Sequence, residues 1–427
     1  MPLKATEVFV PGAYPEHTYV EREGDQLENT LRDALNTPGQ VISLSGPSKS
    51  GKTVLIEKVV GKDLLISLSG ASLTSADQVW EKALDWMGTP TSESRTTSEG
   101  TKIGAEVGGK GGYSIPFLAK AEVSATAKGE KSSETASVYV SDRTGLPQVV
   151  KEIGNSDFVV LIDDFHYMPR DVQPAVAKSL KEAVRLGVKI VTAAVSHRGD
   201  DIVRANPELR GRVRAIDLMY WQRTELAKIA DYGFSALNLG IDQSTVKTLV
   251  SESAGSPQLM QSLCLQTCFV LNRRERTDST LLPEQINVSQ DNVERILEQT
   301  SATTDYRSLV DVLDAGPRIR GTERKTYRFA DGSEGDVYRV VLRAIADNPP
   351  RLSFPYDELL QRTIKVCVGE SPVGSSVTGT CLHMSKLALE KFPNERAIDW
   401  DETKQVLDIP DPYLLFYLRW SGRLKEK

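Results

Sequence analysis

Apolar and polar positions change period several times along this chain, and each change predicts an element. Leu27, Leu31 and Leu35 recur at four-residue spacing, a helix with one apolar stripe that Thr37-Pro38-Gly39 ends. Val41, Ile42 and Leu44 form a short apolar run, the mark of a buried parallel strand, and Val54, Leu55, Val59 and Val60 follow at helical spacing. Residues 64–68 predict a second strand, and Ser75 predicts the cap of a helix carrying Val79, Trp80, Ala83 and Leu84. After residue 140 the alternation continues. Val149, Val150 and Ile153 suggest a helix, and residues 158–162 a buried strand closed by Asp163-Asp164. Val176, Leu180, Ala183 and Val184 mark another helix, residues 188–195 a strand and residues 215–218 a last strand. Strands alternating with helices predict an α/β fold with a parallel sheet.

Two stretches depart from this rhythm. Residues 93–137 are rich in Gly, Ser, Thr, Ala and Lys, yet residues 103–107 and 115–127 alternate around Gly108-Gly109-Lys110-Gly111-Gly112. They read either as a flexible insertion or as a β-hairpin that meets another subunit or partner. Residues 222–273 are helical, whereas 274–330 look polar and less regular, with a basic cluster of Arg318, Arg320, Arg324, Lys325 and Arg328. From Val337 the pattern tightens again. Helices are expected at 337–346, 356–366 and 376–391, then a hairpin around 397–408 and a dense apolar segment at 411–420. That order predicts a winged helix. The expected division is a lead-in at 1–40, an α/β core at 41–218 holding the insertion, a helical lid at 219–285, a linker at 286–334 and a winged-helix domain at 335–427.

Composition narrows the class. The 427 residues are 40% hydrophobic and 26% charged, with net charge −6, as in a soluble protein of two or three domains. The acidic balance argues against a protein that coats nucleic acid by charge alone. No apolar run is long enough for a membrane span, and the N-terminus has no apolar core of a signal peptide, so a cytoplasmic location is expected. Four cysteines, 264, 268, 367 and 381, read as buried reduced thiols, with a metal site as the alternative.

The chemistry concentrates where the first strand meets its helix. Gly46-Pro47-Ser48-Lys49-Ser50-Gly51-Lys52-Thr53 matches G-x-x-x-x-G-K-[ST] in full, between a strand and a helix start. Backbone N–H groups there can wrap a phosphate if Gly46 and Gly51 let the chain bend. Lys52 would reach the β- and γ-phosphates, and Thr53 would offer its hydroxyl to Mg²⁺. About 110 residues on, the acidic pair gives a Walker B pattern. Asp163 would hold Mg²⁺, and Asp164 would orient an attacking water. Ser196, with His197 and Arg198, ends a strand at the edge where ligands bind in parallel sheets, a place from which to sense a γ-phosphate. Arg210, Arg212 and Arg214 are either a solvated basic edge or the source of an arginine finger for a neighbouring subunit. Arg22-Glu23 is either a solvated turn or part of an adenine pocket.

With these motifs, the chain resembles an AAA+/STAND-type ATPase near the origin-recognition-like and archaeal ATPase branches. Arg22-Glu23 resembles the family's N-terminal "hhGRE" element, with Glu21 in place of its usual glycine. Asp163-Asp164 is similar to STAND proteins, where many AAA+ ATPases have Asp-Glu. Gly255-Ser256-Pro257 resembles the STAND GxP element, which implies that Pro257 packs on adenine. Residues 411–417 look like the DP-x-x-x-F/Y-Y close of the family's winged helix. The resemblance implies ATP and Mg²⁺ as ligands and a nucleotide-dependent switch that controls self-association or an effector protein, in settings such as defence or signalling. The second reading is a DNA-engaging ATPase using the winged helix. Residues 334–427 carry a net charge of about −1, short of a basic footprint. The third, a small-molecule P-loop kinase, would leave the winged helix without a task.

Overall fold

A computed structural model describes residues 2–22, 26–89, 92–95, 139–195, 201–277, 283–318, 321, 323–392 and 397–425, with backbone alone at 92–95 and 139–142. The chain divides into two compact units. One comprises residues 30–44 and 58–216, the other residues 1–29, 45–57 and 217–427.

The first unit is built on a five-stranded sheet. Its strands are β1 (Val41–Ser45), β2 (Leu65–Ser69), β5 (Val159–Asp163), β6 (Lys189–Ala194) and β7 (Val213–Asp217), in the order β2-β5-β6-β1-β7. Between β2 and β5 the chain forms β3 (Ser92–Arg95) and β4 (Tyr139–Asp142), an antiparallel pair with Arg95 opposite Tyr139. The register of β2 on β5 and of β5 on β6 is parallel, with Ser69 facing Asp163. All five residues of β1 are buried, as a strand covered on both faces requires. The sheet is parallel, so its strands end on one edge, the edge where open α/β sheets bind ligands. Ile66, Trp80, Val160, Ile162, Phe165 and Leu180 lie at the centre of the core. The alternating stretches at 103–107 and 115–127, with the glycine run between them, lie outside the described residues.

The second unit holds two larger cores. Helices Arg223–Ala236, Gln243–Glu252 and Pro257–Val270 pack Phe234, Leu249 and Leu263 against Phe9 and Val8 of the lead-in. The C-terminal part runs helix Val337–Ala346, strand Ser353–Pro355, helices Tyr356–Val366 and Gly374–Lys391, then strands Asp399–Asp401 and Val406–Asp408. The three strands pair antiparallel around Val406–Asp408, the winged-helix arrangement. Helix Pro412–Trp420 is apolar apart from Arg419 in its last turn, and its residues from Pro412 to Leu418 are buried. Tyr413 and Phe416 enter the core of the helical lid, while Leu414, Leu415 and Leu418 enter the winged-helix core. A helix without a polar face is stable only when both sides are covered.

One sequence reading needs correction. Residues 274–330 are more regular than they look: helices Gln290–Ala302 and Arg307–Ala315 lie within the stretch. Each carries a narrow apolar stripe, Val293, Ile296 and Leu297 in the first and Leu309, Val310 and Leu313 in the second, and each stripe is buried in one of the two cores. In the basic cluster Arg324 pairs with Asp336, Lys325 with Glu370 and Arg328 with Glu334, Lys325 and Arg328 remain exposed, and Arg320 lies outside the described residues.

Candidate nucleotide site

The glycine-rich loop follows β1 directly, and its glycines answer two different needs. At Gly46 the constraint is space: a Cβ would lie 2.7 Å from Leu218 Cβ and 3.0 Å from the Leu218 carbonyl oxygen. Leu218 is fixed there by its N–H, which donates to the Ser45 carbonyl at 2.7 Å. At Gly51 the constraint is backbone: φ is +92°, and a Cβ would meet nothing within 4 Å. Lys49 is also left-handed, at φ +59°. Together they turn the chain into helix Lys52–Val60.

The side chains then close the loop on itself. The Lys52 ammonium donates to the carbonyls of Gly46 at 3.1 Å and Pro47 at 2.8 Å. Pro47 and Ser50 are buried, Ser48 is half-buried and Thr53 is exposed on the first helical turn. The Ser50 carbonyl accepts from Trp221 Nε1 at 2.9 Å. A bend of this shape, with a lysine folded over it and a helix N-terminus behind it, is an anion cradle.

Arg22 is not a solvated turn. Its side chain is 6% exposed and lies 3.6 Å from the carboxylate of Glu225, itself 7% exposed. It donates to the carbonyls of Met219 at 3.0 Å and Tyr220 at 3.4 Å, and its guanidinium lies 5.7 Å from the centre of the Trp221 ring. Glu225 in turn accepts from the Gln222 N–H at 2.8 Å. Arg22 thus ties the lead-in to the start of the lid, while Glu23 lies outside the described residues. Gly255, at φ +84°, approaches Tyr220 so closely that a Cβ would stand 3.2 Å from the Tyr220 Cβ. Its carbonyl accepts from the Trp221 N–H at 3.3 Å. Ser256 caps the next helix by accepting from the Leu259 N–H at 3.2 Å, and Pro257 is its buried first residue. Sequence reasoning passed over Trp221, whose contacts to the loop, to Arg22 and to Gly255 make it the hub of this unit. A lone tryptophan before a helix gives no such signal.

In the sheet unit, Asp163 ends β5 and Asp164 turns left-handed, φ +54° and ψ +41°. The Asp164 N–H donates to Asp163 Oδ1 at 2.9 Å. Gly70 makes room for this turn: a Cβ there would lie 2.6 Å from the Asp164 carbonyl oxygen and 3.0 Å from Phe165 Cα. The carboxylate of Asp163 is a hard oxygen donor of the kind Mg²⁺ takes. Arg210, Arg212 and Arg214 are exposed, with Arg214 on β7. Ser196, His197 and Arg198 lie outside the described residues. All four cysteines are free thiols, and among the described residues no group of three or more His, Cys, Asp or Glu is arranged to hold a metal. Burial pushes the thiols of Cys268 and Cys381 up to about 12, so they stay protonated near neutral pH. No described helix is long and apolar enough to cross a membrane.

No protein-family model matches the chain, and no curated protein matches it. Solved structures do. A Walker-type ATPase of Pyrococcus abyssi is 14% identical, with 94% of this chain and 96% of that chain covered at a TM-score of 0.50. The ORC2 protein of Aeropyrum pernix, in ADPNP and ADP complexes, is 12% identical over 98% and 97% of the two chains, with a TM-score of 0.46. Cdc6p of Pyrobaculum aerophilum is 11% identical over 100% and 99%, with a TM-score of 0.43. The parallel sheet and the likeness to the Pyrococcus abyssi structure show the fold of the chain: a mixed α/β fold of the P-loop NTPase type with a parallel central sheet.

Proposed function

We propose that this protein binds ATP with Mg²⁺ at residues 46–53, hydrolyses it slowly, and uses its nucleotide state to control self-association or an effector protein. The observation that carries the reading is the loop itself. Gly46 and Gly51 are each required by the geometry, and a lysine and a helix N-terminus converge on the bend between them. In this reading Lys52 neutralises the β- and γ-phosphates, Thr53 and Asp163 hold Mg²⁺, and Asp164 orients the attacking water. Arg22 and Pro257 shape the base end, Ser196 senses the γ-phosphate, and Arg210 acts on the nucleotide of a neighbouring copy. The metal held by Thr53 and Asp163 would supply positive charge against that of the leaving phosphoryl group.

The DNA-engaging reading has less behind it. The helix Gly374–Lys391 offers Lys386 and Lys391 as its only Lys or Arg side chains, and Arg324, Lys325 and Arg328 are already paired with acids. The test is the molar mass of the full chain by light scattering without nucleotide, with ADP and with a non-hydrolysable ATP analogue. The switch reading expects the analogue to shift the assembly state away from that of the ADP form. One mass in all three conditions, with no nucleotide-dependent partner capture, would remove the switch.

A further inference from the structure

We infer that Asp411 is a latch on the phosphate loop, and that nucleotide phosphate and this carboxylate compete for Lys49. The inference rests on reading residues 46–53 as the phosphate cradle. Lys49 is the middle of that loop, yet its ammonium is held by the far end of the chain: it lies 2.9 Å from Asp411 Oδ1 and 2.7 Å from Oδ2. It also stands 4.3 Å from the centre of the Tyr413 ring. The two side chains are 28% and 21% exposed, so the pair is mostly withdrawn from water. Asp411 is held in turn. Its Oδ2 accepts from the Tyr306 hydroxyl at 2.5 Å, and its Oδ1 accepts from the Tyr413 N–H at 2.9 Å. Tyr413 is fixed to the lid through its hydroxyl, 2.9 Å from Ser262 Oγ.

Two further observations make this more than a surface ion pair. Asp411 caps helix Pro412–Trp420, which fills both the lid core and the winged-helix core. A pull on Asp411 therefore acts on an element shared by two packed bodies. Three residues earlier, Asp408 belongs to the wing, and its charge acts with burial, the larger cause, to push the Tyr220 hydroxyl up to about 12.

The consequence follows from charge. A phosphate entering the cradle draws on the Lys49 cation and repels the Asp411 carboxylate beside it. Occupancy of the loop and closure of the latch oppose each other, and the opposition is reciprocal: what nucleotide does to the latch, the latch does to nucleotide affinity. Closed, the latch keeps the winged helix on an empty loop; nucleotide releases it.

The test uses Asp411→Asn in the full chain. Asparagine still caps a helix and still accepts from Tyr306, so the change removes charge with little else. ATP affinity by calorimetry is expected to rise about tenfold, within the usual range of such couplings, and the gain is expected to vanish when Lys49 is already Met. Tyr306→Phe, which leaves the ion pair but loosens Asp411, is expected to move affinity the same way by less, and it serves if Asp411→Asn does not fold. In wild type, ATP is expected to speed amide exchange over residues 408–416. Wild-type binding with equal or weaker affinity in both variants would overturn the latch alone. Absence of ATP binding in wild type and both variants would overturn the loop reading and the latch with it.

Discussion

Asp164 and Gly70 show how much of the proposed chemistry depends on single backbone positions. A left-handed backbone at a non-glycine residue is uncommon, and Asp tolerates it better than most. Here it is accommodated because Gly70 presents no Cβ to the Asp164 carbonyl. Asp164→Ala is expected to keep ATP binding and to lower turnover by about 10²–10⁴, the range for losing a group that manages a proton in the transition state. Wild-type turnover in that variant would refute the role. Gly70→Ala is expected to act through Asp164. Turnover should fall by about tenfold or more, the price of a misplaced catalytic group, while ATP affinity stays near wild type. A fall in affinity with unchanged turnover would show that Gly70 serves only the fold.

At the scale of elements, the lid is held by caps that the sequence shows only in part. Asp242 opens helix Gln243–Glu252, and its carboxylate accepts from the Thr245 N–H at 2.9 Å, the Thr245 hydroxyl at 2.8 Å, the Val288 N–H at 3.0 Å and the Ser244 hydroxyl. Burial raises its pKa, but these four donors outweigh burial and hold the carboxyl well below its usual range. A carboxyl depressed in the folded state contributes stability above its unfolded pKa of about 3.9, and that contribution is lost as pH falls below it. The urea midpoint of wild type should therefore drop more steeply between pH 5 and pH 2.5 than that of Asp242→Asn. Parallel slopes would remove the assignment. The same scale shows what was legible. The strands of the sheet, the lid helices and the three helices after residue 336 carry dense apolar periods, and the observed bounds follow them closely. Helices Gln290–Ala302 and Arg307–Ala315 bury stripes at helical spacing, Val293, Ile296 and Leu297 in one and Leu309, Val310 and Leu313 in the other, a period present in the sequence that reading the stretch as a linker passes over. Strand Ser353–Pro355 exists through its pairing with Val406–Asp408, a tertiary cause that no local pattern carries. The glycine-rich loop was legible because one local motif holds all its parts. The Lys49–Asp411 pair was not, since its members are 362 residues apart.

At the scale of the whole molecule, buried charge marks where the C-terminal helix Pro412–Trp420 meets helix Gln243–Glu252. Arg419 makes a two-pronged contact to Glu252, at 2.9 and 2.7 Å, and both side chains are almost fully buried, 6% and 7% exposed. Trp420 Nε1 adds a third bond to Glu252 at 2.7 Å. Glu252→Ala would strand the Arg419 charge and should cost about 3–5 kcal/mol, read as a lowered midpoint of chemical unfolding; a loss below about 1 kcal/mol would place the pair with exposed ones. The central claim, that residues 46–53 hold ATP, meets its most direct test in calorimetry of the full chain with Mg²⁺-ATP, wild type beside Lys52→Ala. The account predicts one site in wild type and loss of tight binding in the variant, with the circular dichroism of the two unchanged. Equal ATP affinity in the two proteins would contradict it.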